Sequence, residues 1–170
     1  MGKRSNFQRK PHDLYNTPYE ALLPLLPHLP KNTQYCEPCA GEGHLIRSLW
    51  KHGHRCVSSF DIDPQHGYTQ LDAAFMTMDD LKGATHIITN PPWKRPILHQ
   101  LIDRFVCMRP TWLLFDADWA HTEQAKPYMT YCHKIVSVGR VKWFGNTVGK
   151  DNACWYLFDS PTNQTSFIGR

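Results

Sequence analysis

The stretch Thr85-His86-Ile87-Ile88-Thr89-Asn90-Pro91-Pro92-Trp93 decides how this chain is read. Its first five residues form the short apolar run of a buried strand. The two prolines then end the strand and fix a rigid turn, because each locks its own φ, lacks a backbone N–H and drives the preceding residue toward extended backbone. The turn, with Pro92 stiffening it, presents the amide of Asn90, the carbonyl of Pro91 with no competing helix bond, and the large flat side chain of Trp93. Such a set suits a planar molecule carrying an amino group. The indole stacks on the plane, while the amide oxygen and the carbonyl accept the two amino hydrogens. The turn therefore points to chemistry on an exocyclic amine. For Trp93 a plain core role is the alternative, disfavoured by its position beside two prolines at a strand end.

Upstream, Glu37-Pro38-Cys39-Ala40-Gly41-Glu42-Gly43 follows the short run Gln34-Tyr35-Cys36 and precedes the helix-like Leu45-Ile46-Arg47-Ser48-Leu49-Trp50. Strand, glycine-rich loop and helix open a nucleotide-binding α/β unit. Gly41 and Gly43 permit positive φ and close approach of a ligand to the backbone. Ile46 stands where the dinucleotide fingerprint needs its third glycine, and Glu37 and Glu42 would repel a pyrophosphate. These carboxylates suit a cationic ligand instead, such as S-adenosylmethionine with its sulfonium and ammonium groups. The next apolar run, Cys56-Val57-Ser58-Ser59-Phe60, ends in Asp61-Ile62-Asp63. An acid at the tip of the second strand is well placed to take two ribose hydroxyls, a loop or cap role for Asp61 being the alternative.

Outward from these motifs, strands are expected at 34–37, 55–61, near 70–72, at 85–90, 111–115, 133–143 and 153–158. Helices are expected at 43–52, 97–105 and 118–128, with a short one opened by a Thr17 cap and Pro18. Residues 145–152 read as the turn of a terminal hairpin. The fold class is α/β: a mostly parallel seven-stranded sheet with helices on both faces and a C-terminal antiparallel hairpin. Ligands of such a sheet bind beyond the carboxyl ends of its strands, and Glu37–Gly43, Asp61, Asp72 and Asn90–Trp93 all fall there.

At 170 residues the chain reads as one domain, 14–170, preceded by a flexible basic arm over 1–13 that includes Lys3 and Arg4. Hydrophobic residues make up 41% and charged residues 20%, ordinary for a soluble protein, and no apolar run reaches a membrane span. A cytoplasmic location is expected, since no apolar segment follows the basic N-terminus. The net charge of +4 is modest, but Lys94 and Arg95 directly follow the Asn-Pro-Pro-Trp turn and suit a phosphate backbone. Solvated surface is the default for the other basic clusters. Six cysteines sit mostly in apolar runs, as reduced buried thiols do. Cys36 and Cys39 have a C-x-x-C spacing without a second pair, so no metal site is expected. Asp118 is expected to cap a helix.

From Tyr15 to Phe158 the chain resembles the S-adenosylmethionine-dependent amino-methyltransferases, especially the DNA adenine methyltransferases, and most the small stand-alone ones of bacteriophages. Asn90-Pro91-Pro92-Trp93 matches their (Asp/Asn/Ser)-Pro-Pro-(Tyr/Phe/Trp) signature. The resemblance implies a Rossmann-like class I methyltransferase fold and S-adenosylmethionine as cofactor. It implies that Tyr15, Thr17 and Pro18 hold the methionine part, that the loop Glu37, Pro38, Cys39, Ala40, Gly41 and Gly43 holds the cofactor, that Asp61 takes the ribose, that Ile62 beside it also binds the cofactor, and that Asp72 meets the adenine. Methylation of the adenine amino group of DNA, flipped out of the duplex, is the implied activity. Enzymes methylating RNA adenine or protein glutamine share the signature, so these stay open, as does a non-catalytic cofactor-binding subunit. Only 17 residues separate Asp72 from Asn90, and the 77 after Trp93 are mostly consumed by strands. No separate target-recognition domain fits, so recognition is expected from small loops or from a partner subunit.

Overall fold

The structure is a computed structural model, and it describes residues 15–65, 67–143 and 151–170. Lys3, Arg4 and the arm at 1–13, and most of the hairpin turn at 145–152, lie outside the described residues. Strands β1 (Gln34–Glu37), β2 (Arg55–Asp61), β3 (Thr69–Gln70), β4 (His86–Thr89), β5 (Thr111–Asp116), β6 (Cys132–Arg140), β7 (Asn152–Phe158) and β8 (Ser166–Ile168) form one sheet in the order β3-β2-β1-β4-β5-β7-β6-β8. All neighbours are parallel except β7, which runs antiparallel to both β5 and β6. The expected mostly parallel sheet with a terminal antiparallel hairpin is therefore present. The eighth strand has no signal in the sequence, because its three exposed residues carry no burial pattern to read.

The central strands β1, β4, β5 and β7 are buried on both sides, as sheet strands covered by helices must be. Side chains alternate between two cores. Cys36, Ile87, Leu113, Phe115, Cys154 and Tyr156 join one. Tyr35, Ile88, Trp112, Leu114 and Trp155 join the other. Helix α3 (Arg95–Val106) covers the first face with Leu98, Leu101, Ile102 and Phe105. Helices α1 (Tyr19–Leu22) and α2 (His44–Trp50) cover the second with Ala21, Leu22, Leu45 and Leu49. Each large side chain so buried contributes about 1.5–3 kcal/mol. The Trp155 indole N–H donates to the Ala21 carbonyl at 2.8 Å, which fixes α1 to the sheet.

Three local expectations are corrected. Thr17 does not cap α1; Pro18 occupies the cap position without a side-chain bond, and Thr17 is buried. The stretch 118–128 is not one helix but 3-10 turns at Ala117–His121 and Glu123–Ala125 followed by α4 (Lys126–Met129). Thr122 between the turns is extended, and Pro127 has no N–H for a continuous ladder. The cap there is Asp116, whose Oδ1 accepts from the Asp118 N–H at 3.1 Å, not Asp118. Among the described residues no helix is long and apolar enough to cross a membrane.

Candidate functional site

Strand β1 lies between β2 and β4, so the chain order reverses there and a crevice opens beyond the strand ends. A cavity of 650 Å³ occupies it. The ends of four consecutive strands contribute to its walls, as expected from the sequence.

The loop after β1 is built by its neighbours. The Ala40 N–H donates to the Phe60 carbonyl at 2.8 Å, and Gly43 N–H closes a turn onto Ala40 at 2.7 Å. Gly41 has φ 50°, and in this left-handed conformation its N–H donates to Asp61 Oδ2 at 2.7 Å. Gly43 has φ 75°, and a Cβ there would stand 2.0 Å from the Tyr68 hydroxyl. Both glycines are thus demanded by geometry.

The two acids flanking this loop have different tasks. Glu37, at the end of β1, is 1% exposed, and it lines the cavity. Neither of its carboxylate oxygens has a hydrogen-bond partner among the described residues. Burial pushes the Glu37 carboxyl well above the usual carboxylate range; the nearby Thr89 hydroxyl and Cys39 backbone oppose part of the rise, and the Asp61 charge adds to it. Glu42 lies outside the cavity lining, where it accepts from Asn16 Nδ2 at 2.7 Å and pairs with His44 at 3.4 Å. The bond to Asn16 holds the N-terminal segment against the loop, and Tyr15 and Thr17 of that segment line the cavity.

Opposite the loop, Asp61 is 9% exposed and spends both oxygens on backbone, on Gly41 and on the Asp63 N–H at 2.9 Å. It therefore holds the loop in place as well as facing the cavity. Ile62 and Asp63 are exposed and also line it. Asp72 lines the wall after β3 while its Oδ1 accepts from Ala74 N–H at 2.9 Å. Pro38, Cys39, Ala40 and Gly41 complete the near wall, whereas Pro18 and Gly43 do not line the cavity. Cys36 packs in the core and Cys39 faces the cavity, so the C-x-x-C pair points two ways. Burial raises the Cys56 and Cys132 thiols to about 12 and Cys154 to about 11, which leaves them protonated near neutrality.

At the turn after β4, Asn90 and Pro92 line the cavity and Pro91 is buried. Asn90 Nδ2 donates to the Tyr15 carbonyl at 3.2 Å, and Asn90 Oδ1 accepts from the Trp93 indole N–H at 3.2 Å. The same N–H also donates to the Leu114 carbonyl at 3.1 Å. The Trp93 ring is half-buried, packs against both cores, and meets Trp143 edge-on with centroids 5.4 Å apart. Arg95 pairs with Asp116 at 2.8 Å, and Lys94 is exposed at the cavity rim.

Several lining residues were not singled out from sequence. Asn16 and Asp63 adjoin residues that were, and the D-x-D spacing was a usable signal for Asp63. Ala73, Ala74, Ile97, Gln100 and Leu101 also line the cavity. Ile97 and Leu101 lie four apart on α3, so one helix face supplies both. Only the fold brings that face to the glycine loop.

No protein-family model matches the chain, and no curated protein matches it. Solved structures do. A protein of Listeria monocytogenes described as a class I S-adenosylmethionine-dependent methyltransferase superposes with a TM-score of 0.59 at 11% identity, over 96% of this chain and 68% of its own. A protein of Pyrococcus horikoshii described as an RNA methyltransferase gives 0.59 at 12% identity, over 92% of both chains. The 23S rRNA methyltransferase ErmE gives 0.53 at 14% identity, over 86% of this chain and 68% of its own. At such identities the likeness is one of architecture, and the chain has the Rossmann-like class I methyltransferase fold.

Proposed function

We propose that this chain is an S-adenosylmethionine-dependent methyltransferase acting on the exocyclic amino group of adenine in DNA. One observation carries the reading: a single cavity joins a buried, unpartnered carboxylate to an oriented amide. An orphaned carboxylate is costly to bury unless a cation arrives to meet it. Glu37 therefore fits the positively charged end of the cofactor. Asp61 and Asp63 fit its ribose hydroxyls, and Ile62, Asp72 and Ala73 fit its adenine. When bound, S-adenosylmethionine supplies a methyl group made electrophilic by the sulfonium.

The protein's own part is to prepare the acceptor nitrogen. The lone pair of an adenine amino group is delocalised into the ring. Asn90 Oδ1 and the Pro91 carbonyl accept its hydrogens, favour a pyramidal nitrogen and stabilise the positive charge that grows on it. Fixed placement of the two reactants supplies much of the rest. In duplex DNA the base leaves the stack to reach the cavity. Lys94 at the rim, with Lys3 and Arg4 of the basic arm, meets phosphates.

Two solved relatives by fold are described as RNA enzymes, which favours RNA adenine as the second reading. Labelled methyl transfer to single- and double-stranded DNA, RNA and protein separates the readings. DNA adenine is expected to take the label. Asn90→Ala is expected to reduce transfer by about 10²–10³-fold while the cofactor still binds. Label on RNA or protein alone overturns the DNA assignment, and cofactor binding with no transfer to any acceptor reduces the chain to a binding subunit.

A further inference from the structure

We infer that Trp93 is a positioning residue, and that its indole N–H and the Tyr15 carbonyl together clamp the Asn90 amide in the one orientation able to receive an amino group. This rests on the reading of Asn90 given above. It departs from the stacking role that the sequence suggests for the ring.

The chemistry of the two jaws fixes the orientation. An indole N–H only donates and a backbone carbonyl only accepts. Asn90 presents its oxygen to the first at 3.2 Å and its nitrogen to the second at 3.2 Å. Rotating the amide by half a turn would set donor against donor and acceptor against acceptor, losing both bonds. The indole N–H is itself anchored, since it also donates to the Leu114 carbonyl on β5 at 3.1 Å. One jaw is thus anchored on the neighbouring parallel strand, and the other belongs to the N-terminal segment. After both bonds, Oδ1 keeps one lone pair and Nδ2 keeps one hydrogen. The remaining lone pair is the one available to an acceptor's amino hydrogen, and its direction is set before any ligand enters.

The ring has little freedom to do more. It packs against both cores and lies edge-on to Trp143 at 5.4 Å with an interplanar angle of 90°. Pro92 of the same turn lines the cavity, and Trp93 does not. A further consequence separates this chain from signatures that begin with aspartate. A carboxylate at position 90 would place a second oxygen against the Tyr15 carbonyl, where the geometry requires a donor. Asparagine and aspartate are close to isosteric, so the difference between them reads the clamp and little else.

The test compares Trp93→Phe, Trp93→Ala, Asn90→Asp and Asn90→Ala with the unmodified protein. Cofactor binding, melting temperature, and kcat and KM for an adenine-containing oligonucleotide are measured. Trp93→Phe keeps a ring and loses the donor. It is expected to lower kcat by tenfold or more while KM and cofactor affinity stay within about twofold. Asn90→Asp is expected to lose nearly as much turnover as Asn90→Ala. Unchanged kcat in Trp93→Phe, with a raised KM in Trp93→Ala, makes the ring a stacking surface and overturns the clamp. Full turnover in Asn90→Asp overturns it too. Full turnover in Asn90→Ala instead overturns the role of Asn90 itself. Independently of any acceptor, nitrogen-resolved NMR of the apoprotein is expected to show the Asn90 side-chain amide shifting and exchanging faster in Trp93→Phe. An unshifted amide refutes the clamp, including in a protein that methylates nothing tested.

Discussion

The glycine loop and the Asn-Pro-Pro-Trp turn face the same cavity, but they meet it in opposite conditions. The loop offers a polar group without partners: both oxygens of Glu37 are buried and unbonded among the described residues. The turn offers a polar group already bonded on both sides, to Tyr15 and to Trp93. A group left unsatisfied stores free energy that a ligand releases on arrival, which is a device for binding. A group held still before the ligand arrives costs no reorganisation at the moment of reaction, which is a device for rate. The two halves of the site thus divide affinity from turnover, and each can be attacked separately.

The largest effect on cofactor affinity is expected at Glu37. Glu37→Gln removes the charge that meets the cationic cofactor. Charged hydrogen bonds are worth about 1.5–3 kcal/mol, so cofactor affinity should fall by about 10- to 150-fold. The apoprotein should behave in the opposite sense. Its carboxyl has a raised pKa in the folded state, so the folded form holds the proton more tightly than the unfolded form. The stability it contributes is present below the usual carboxylate range and is lost as pH climbs toward the raised value. The glutamine variant has no such loss. Its melting temperature should exceed that of the unmodified apoprotein near neutrality, and the gap should close as the pH is lowered. Cofactor affinity of the unmodified protein should weaken over the same descent, because the ionised form is the one that binds. A calorimetric affinity that Glu37→Gln leaves intact would erase the contrast between loop and turn.

Asp61→Ala ranks next and sharpens the comparison from the loop side. Its carboxylate accepts from Gly41 at 2.7 Å and from Asp63 at 2.9 Å, so the variant loses both loop order and a ribose partner. Cofactor affinity should fall more than tenfold, since a lost charged acceptor is worth about 1.5–3 kcal/mol. Turnover at saturating cofactor should fall far less. If saturation does not restore turnover, the loop also contributes to rate, and the division between the halves is wrong.

How much of this was legible in the sequence differs between the same two regions. Both motifs stand beside strands whose apolar runs are unmistakable, so the strand ends and their convergence were readable from periodicity alone. The glycines were legible for the same reason, since positive φ is a local demand. Bond partners were not legible. Nothing in the spacing of Glu37 and Glu42 says that one is buried at the cavity and the other paired with Asn16 outside it. Nor does the sequence say that the Trp93 ring turns inward, because the Leu114 carbonyl that anchors it is 21 residues away. The far wall from α3 was hidden likewise: Ile97 and Leu101 read as an ordinary amphipathic face until the crossover returns them beside the loop. The 118–128 stretch failed on a local rule that was available, the missing N–H of Pro127.

The smallest effect should come from the segment that joins the two regions. Asn16 bonds Glu42 at 2.7 Å on the loop side, and the adjacent Tyr15 carbonyl accepts from Asn90 on the turn side. Asn16→Ala removes one partly buried hydrogen bond, worth about 0.5–1.5 kcal/mol, and so an effect of about two- to tenfold. If loop and turn act independently, the loss should appear wholly in cofactor affinity, with kcat unchanged. If the segment transmits order from one to the other, kcat should fall as well, because a loosened Tyr15 no longer holds the Asn90 amide. Hydrogen exchange at residues 15–18 reports whether the segment has loosened at all. Loosening with kcat intact would confine the clamp to Trp93 and show that Tyr15 adds nothing to the orientation of the amide.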